Sequence, residues 1–180
     1  MAAASNDDLK ALIRTIPDFP KPGIMFRDIT TLLLDARGFA ETVRRMAAAV
    51  EGKVDLVAGI EARGFVFAAA LAGPLDAGVV LIRKDGKLPG ATIAEDYALE
   101  YGTDRITMHE DALVPGQRVL LVDDLIATGG TALAALRLLR KAGGVVDQVQ
   151  FVIDLPELSG AAALAEEGVT VRSLVAFEGH

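Results

Sequence analysis

From Val54 to Val175 the chain repeats one alternation, a short, largely apolar run followed by a longer stretch. The runs are Val54–Ile60, Gly78–Ile82, Arg118–Val122, Val145–Ile153 and Val169–Val175. Between several of them lie helical segments at Phe65–Leu71, Thr131–Ala142 and Glu157–Glu167. Near-continuous Val, Ile and Leu runs belong to strands covered on both faces, and strands separated by helices pair in parallel. The prediction is an α/β fold with a central, mostly parallel sheet and helices on both faces. A chain of 180 residues, 52% hydrophobic and 24% charged, suits one folded domain spanning 1–180.

Two regions break the alternation. Pro17, Pro20 and Pro22 fall within seven residues, so Pro17–Gly23 is predicted to be an extended, rigid loop carrying Ile24, Met25 and Phe26. It is preceded by a predicted helix over Asn6–Thr15. A second helix is predicted over Gly38–Val50, where Phe39, Val43, Met46 and Val50 recur at about 3.6-residue spacing. The other break, Asp85–Pro115, is rich in Gly and charge. Its two β-like pieces, Thr92–Tyr101 and Arg105–His109, predict a protruding hairpin turned by Gly102-Thr103-Asp104.

Several function classes are excluded early. The chain has no cysteine, so disulfides, thiolate metal sites and thiol catalysis are impossible. Only His109 and His180 supply imidazole, and both read as surface residues. None of Ser5, Ser159 and Ser173 stands in a G-x-S-x-G elbow. The net charge of −7 argues against a nucleic-acid or anionic-membrane partner, both of which need a positive field. Met1–Asp8 has no leader-like pattern and no run suits a membrane span, so a cytoplasmic location is expected.

The segment Val119 to Thr131 carries most of the chemistry. A buried strand is predicted to deliver Asp123 and Asp124 at its carboxyl end. Leu125, Ile126, Ala127, Thr128, Gly129 and Gly130 then lead into a helix at Thr131. The first amides of a helix lack intrahelical acceptors and face the positive end of its dipole, so they suit a phosphate. Glycines allow close approach, and threonine hydroxyls add donors. The adjacent carboxylates can accept hydrogen bonds from vicinal hydroxyls or help hold a hydrated Mg²⁺. No Gly-Lys-Thr/Ser and no G-x-G-x-x-G is present, so neither a Walker A loop nor a dinucleotide fingerprint fits.

This block resembles the phosphoribosyl diphosphate (PRPP) signature of the type I phosphoribosyltransferase family. Further blocks follow that family's order: Phe19-Pro20-Lys21-Pro22-Gly23-Ile24, Phe26-Arg27-Asp28-Ile29-Thr30, Glu61-Ala62-Arg63-Gly64-Phe65, Arg83-Lys84, Gly86-Lys87-Leu88-Pro89 and Leu99-Glu100-Tyr101-Gly102-Thr103. The Glu61–Phe65 and Leu99–Gly102 blocks resemble its adenine-using branch. The chain departs from the pattern at Thr31, where Pro is frequent, and at Ala68, where Gly is frequent.

The resemblance implies transfer of the phosphoribosyl group of PRPP to adenine, giving AMP and pyrophosphate, by a homodimer using Mg²⁺ carried mainly by the substrate. Asp123 and Asp124 would bind the ribose hydroxyls, either of them meeting Mg²⁺ through water, and Ala127–Thr131 the 5′-phosphate. Arg63 would bind pyrophosphate, aided by Arg83, Lys84 and Lys87. Glu100 would face the purine, and Tyr101 would cover the reacting ribose. A hood over about residues 1–35 would hold the base through Met25, Phe26 and Arg27, with Leu125 opposite Phe26. A flexible hairpin over about 85–110 would close on the site. A related enzyme for xanthine or hypoxanthine, and a non-catalytic PRPP-binding regulator, are the alternatives.

Overall fold

The computed structural model describes residues 6–98 and 102–179. In chain order its elements are α1 (Asp7–Lys10), β1 (Arg14–Pro17), β2 (Met25–Asp28), α2 (Thr30–Leu34), α3 (Ala36–Ala48), β3 (Leu56–Ile60), α4 (Gly64–Leu75) and β4 (Gly78–Lys84). They continue with β5 (Thr92–Ala98), β6 (Thr103–His109), β7 (Arg118–Ile126), α5 (Gly130–Lys141), β8 (Val145–Asp154), α6 (Gly160–Glu166) and β9 (Thr170–Ala176). A 3₁₀ turn at Pro156–Leu158 precedes α6.

The main sheet has the order β5-β6-β4-β3-β7-β8-β9. The five strands from β4 to β9 pair in parallel, and β6 and β5 join antiparallel at one edge. Strand alternation separates two cores. Val119 and Leu121 pack with Leu136 and Leu139 of α5, while Leu120 and Val122 pack with Phe67 and Leu71 of α4 and Met46 of α3. With both faces of β3, β7 and β8 covered, those strands can be apolar almost throughout, which is why they were legible as runs.

Several boundaries differ from the sequence prediction. The helix expected over Asn6–Thr15 stops at Lys10, because Arg14–Pro17 pairs antiparallel with Met25–Asp28. One turn of helix is not self-supporting, and the ladder to β2 wins. The rigid proline loop is the connection of this small two-stranded sheet. Helix α2 was not anticipated. Helix α3 begins earlier than predicted, because the Asp35 carboxylate accepts from the Gly38 amide at 2.7 Å and caps it. The helix expected over Glu157–Glu167 is divided at Ser159, whose φ of 60° is left-handed. Strand β7 runs to Ile126 instead of ending at Val122, because its ladder to β8 continues as far as Ile126↔Asp154. Asp123 and Asp124 therefore sit within the strand and not beyond it.

The hairpin stem is an extension of the sheet. Residues Arg83 and Lys84 of β4 pair with Thr107 and Ile106 of β6, and Lys141 Nζ of α5 donates to the Ala94 carbonyl of β5 at 3.0 Å. Both departures from the family pattern have local partners. The Thr31 hydroxyl accepts from the Arg14 amide at 3.1 Å and donates to the Leu12 carbonyl at 2.6 Å. The Ala68 methyl lies against Gly59, where a side chain on the strand would reach within 2.8 Å of it.

Asp28 is the keystone of the β1–β2 sheet. One carboxylate oxygen accepts from the Thr30 amide at 3.0 Å and the Thr30 hydroxyl at 2.6 Å, while the other accepts from Arg14 Nε at 3.1 Å. The Thr30 hydroxyl first, then Arg14, lower its pKa to about 2. A depressed carboxylate pKa stabilises the fold above the unfolded value near 4, and that contribution is lost as pH falls from there through about 2. With Arg14 largely exposed, the contribution is roughly 1–2 kcal/mol. Asp28→Asn is expected to lower the denaturation midpoint at pH 7, with the gap to wild type narrowing as pH falls toward 2. A gap independent of pH would show that the carboxylate's charge is not what holds β1 to β2.

Candidate active site

Strand β3 has β4 on one side and β7 on the other, so successive connections leave it in opposite directions. A crevice opens at the carboxyl ends of strands at such a switch point. Here it is a cavity of about 430 Å³, within the usual range for small-molecule sites. Its walls come from the end of β3 (Ile60–Arg63), the end of β4 (Ile82–Lys84), the hairpin (Tyr97, Asp104, Ile106) and the continuous stretch Asp123–Ala132.

The loop between β7 and α5 forms the floor. Gly129 has φ +85°, which turns the chain so that α5 starts at Gly130. Behind it lies Gly160, the first residue of α6, whose amide donates to the Ala127 carbonyl at 3.0 Å. A Cβ on Gly160 would stand 2.2 Å from that carbonyl oxygen and 2.7 Å from the Gly129 nitrogen. No side chain fits between the two backbones. The sequence reading missed Gly160; a lone glycine at the start of a predicted helix gives no signal of such a contact.

Asp124 is 6% exposed and forms an ion pair with Arg63 across the cavity. Asp123 Oδ1 accepts from the Asp124 amide at 2.8 Å. Burial first, and then the neighbouring Asp124 carboxylate, pushes the Asp123 carboxyl well above the usual carboxylate range. Gly64 packs closely beside it: a Cβ there would stand 2.9 Å from Asp123 Oδ1 and 3.0 Å from the Val122 carbonyl oxygen. The start of α4 and the acidic pair are therefore packed as one unit.

The basic residues at the end of β4 already have partners. Arg83 Nη2 meets Glu61 Oε1 at 3.0 Å, and its Nη1 donates to the Lys87 carbonyl at 2.9 Å. Lys84 Nζ lies 3.2 Å from Asp104, and the Lys84 amide donates to Glu61 at 3.1 Å. Arg83 lowers the Glu61 pKa, and Asp104 raises that of Lys84. The Tyr97 hydroxyl donates to Asp104 at 3.1 Å, and Tyr97 of the hairpin lines the cavity together with Thr131 of the first turn of α5. Glu61, Tyr97 and Asp104 were not singled out from sequence, since each acts through a partner on another element.

The structure thus brings together Arg63, Arg83, Lys84, Asp123, Asp124, Leu125, Ala127, Thr128, Gly129, Gly130 and Thr131. It does not bring Lys87 into the lining; that residue is exposed on the turn after β4. Met25, Phe26 and Arg27 lie in β2 outside the lining, with Phe26 edge-on to Phe19 at 5.1 Å. Glu100 and Tyr101 lie outside the described residues. Among the described residues no three or more His, Asp or Glu gather to hold a metal ion; the carboxylates in the lining are Glu61 and Asp104, paired with Arg83 and Lys84, and the adjacent Asp123 and Asp124.

A phosphoribosyl transferase domain model matches residues 26–153. An adenine phosphoribosyltransferase of Bradyrhizobium sp. (strain ORS 278) is 60% identical over 174 residues, covering 96% of this chain and 97% of the relative. The crystal structure of the adenine phosphoribosyltransferase from Thermoanaerobacter pseudethanolicus superposes with a TM-score of 0.91 at 48% identity, covering 96% of this chain and all of that one. The Saccharomyces cerevisiae enzyme, complexed with an imino-altritol bisphosphate and adenine, matches with a TM-score of 0.89 at 34% identity, over 94% of this chain and 98% of that one.

The backbone contact under the loop makes a direct prediction. Gly160→Ala is expected to push Ala127–Gly129 out of place and weaken binding of ribose 5-phosphate by roughly tenfold or more, with native circular dichroism. Calorimetric titration gives the affinity. An unchanged value would show that the loop does not depend on the glycine behind it.

Proposed function

The chain belongs to the phosphoribosyltransferase family, among its adenine phosphoribosyltransferases, and on that premise we propose how its cavity divides the work. The reaction is that of purine salvage: the phosphoribosyl group of PRPP passes to adenine, yielding AMP and pyrophosphate. The observation that carries the division is the direct ion pair of Arg63 with Asp124 in the lining of one cavity that also includes the start of α5.

The amides and hydroxyls of Ala127–Thr131 hold the 5′-phosphate at the helix N-terminus. Asp123 and Asp124 accept hydrogen bonds from the ribose diol. Arg63 takes the pyrophosphate, whose oxygens fit a guanidinium fork. The Arg63–Asp124 pair then opens as substrate enters, the diol taking the carboxylate and the pyrophosphate taking the cation. The buried Asp124 carboxylate is not left unpaired, so the exchange avoids the cost of stranding it, while the half-exposed Arg63 stays solvated. Arg83 and Lys84 reach the leaving group by the same kind of exchange, away from Glu61 and Asp104. Lys87 joins them from the turn that Arg83 already holds.

When pyrophosphate departs, ribose C1 gains positive charge and the N9 nitrogen of adenine bonds to it, losing its proton. The protein's part is placement and exclusion of water. Glu100 assists the proton balance at the purine, Tyr101 covers the ribose, and Met25, Phe26, Arg27 and Leu125 hold the base. Mg²⁺, carried on the substrate's oxygens and meeting Asp123 or Asp124 through water, would neutralise the leaving group.

We also assign a homodimer in the cytoplasm. Helix α4 is apolar on all sides, as a fully buried helix is, yet Val66 on its outer face is 39% exposed. Beside it Val79 and Leu81 of β4 are 41% and 43% exposed on the same side of the sheet. A second copy of the chain would cover this face. No helix among the described residues is long and apolar enough to cross a membrane.

The protein with Mg²⁺, PRPP and adenine is expected to form AMP and pyrophosphate, and hypoxanthine or xanthine to be poor acceptors. Asp124→Asn is expected to raise the KM for PRPP roughly tenfold or more, with a smaller effect on adenine. Sedimentation should give a dimer mass, which Leu81→Asp should halve. Absence of AMP would overturn the reaction, an unchanged KM the role of Asp124, and a monomeric wild type the dimer.

A further inference from the structure

The hood is a two-stranded sheet of four-residue strands, too small to be stable alone. Something must set its position relative to the main sheet. Asp28 ties β1 to β2, which fixes the hood's internal geometry but not its seat on the sheet. The seat is found on the outward side of β2, at Arg27.

The Arg27 side chain turns to the end of the chain. Its Nη1 donates to the Thr15 hydroxyl at 2.7 Å, and its Nη2 to the carbonyls of Glu178 at 3.0 Å and Gly179 at 2.7 Å. Its guanidinium carbon stands 4.6 Å from the centroid of the Phe177 ring. Lys10 Nζ of α1 lies 4.8 Å from the same centroid. Both cations fall within the range at which an aromatic face attracts positive charge. The backbone that carries the ring is anchored on the sheet side. The Phe177 amide donates to the Asp154 carbonyl at the end of β8 at 3.0 Å, and the Gly179 amide to Glu157 Oε1 at 3.2 Å. One aromatic residue thus joins α1, the hood and the carboxyl end of β8, a strand whose ladder partner is the β7 end carrying Leu125.

We propose that Phe177 is a positioning residue for the base site: residues 177–179 clasp Arg27 and so hold the hood in register with the cavity. This rests on the reading that the hood takes the adenine. The clasp works through the ring's π face as well as its bulk. It acts on the purine and not on the phosphate end, which is built from β7 and α5 without it.

The test is steady-state kinetics on the full-length enzyme with Phe177→Leu, Phe177→Tyr and Phe26→Ala. Leucine keeps an apolar side chain of moderate size and removes the ring, while tyrosine keeps the ring. Phe177→Leu is expected to raise the KM for adenine roughly tenfold and leave the KM for PRPP within about twofold of wild type. Phe177→Tyr is expected to restore the adenine KM. Wild-type adenine KM in Phe177→Leu, alongside a raised value in Phe26→Ala, would overturn the clasp and leave the hood reading intact. Equal rises for both substrates, or no rescue by tyrosine, would also overturn it, as general loosening of the fold. A normal adenine KM in both Phe26→Ala and Phe177→Leu would overturn the hood reading itself.

Discussion

One ion pair governs the site: Arg63 at the end of β3 against Asp124 within β7, across the point where the sheet's connections reverse. Around it the fold supplies what neither residue can supply alone. The ladder from β7 to β8 carries the acidic residues past the apolar core. The glycine at position 64 lets α4 begin against Asp123. The glycine at 160 lets the loop before α5 lie flat on the start of α6. Remove any of these and the pair, or the amides beside it, would be displaced from the cavity.

The same pair resolves a difficulty of charge. A chain of net −7 must accept a strongly anionic substrate. It does so with cations stored against carboxylates: Arg63 on Asp124, Arg83 on Glu61 and Lys84 on Asp104. Without substrate, the cavity holds no large uncompensated positive field that would collect stray anions. With substrate, each carboxylate can exchange its partner for a hydroxyl or an ion, and each cation its partner for phosphate oxygen. Specificity then follows from having to satisfy both halves of several pairs at once, which inorganic phosphate alone cannot do.

Much of this was legible from sequence because it is local in the chain. The central strands showed as apolar runs since both faces of β3, β7 and β8 are buried. The block from Val119 to Thr131 showed since strand, carboxylates, glycines and helix start follow one another directly. What escaped notice depends on contacts between distant segments. Strand β1 exists only through its ladder to β2; from sequence, Arg14 and Thr15 read as the end of the preceding helix and Pro17 as the start of a loop. The reach of β7 through Asp123 and Asp124 is set by β8, which no local pattern reports. Glu61, Tyr97 and Asp104 look like ordinary polar residues until the fold sets them beside Arg83, Thr131 and Lys84. Phe177 reads as a terminal aromatic with no motif around it, and its neighbours Lys10 and Arg27 come from the other end of the chain.

Substrate is expected to replace the Arg63–Asp124 contact, with diol on the acid and pyrophosphate on the base. A crystal structure of the protein with AMP, pyrophosphate and Mg²⁺ tests it most directly. The expected result is ribose hydroxyls within hydrogen-bond distance of Asp124, the 5′-phosphate against the amides that begin α5, and Arg63 turned from the carboxylate to the pyrophosphate. Nucleotide bound with Arg63 still on Asp124, or phosphate seated away from the start of α5, would contradict it.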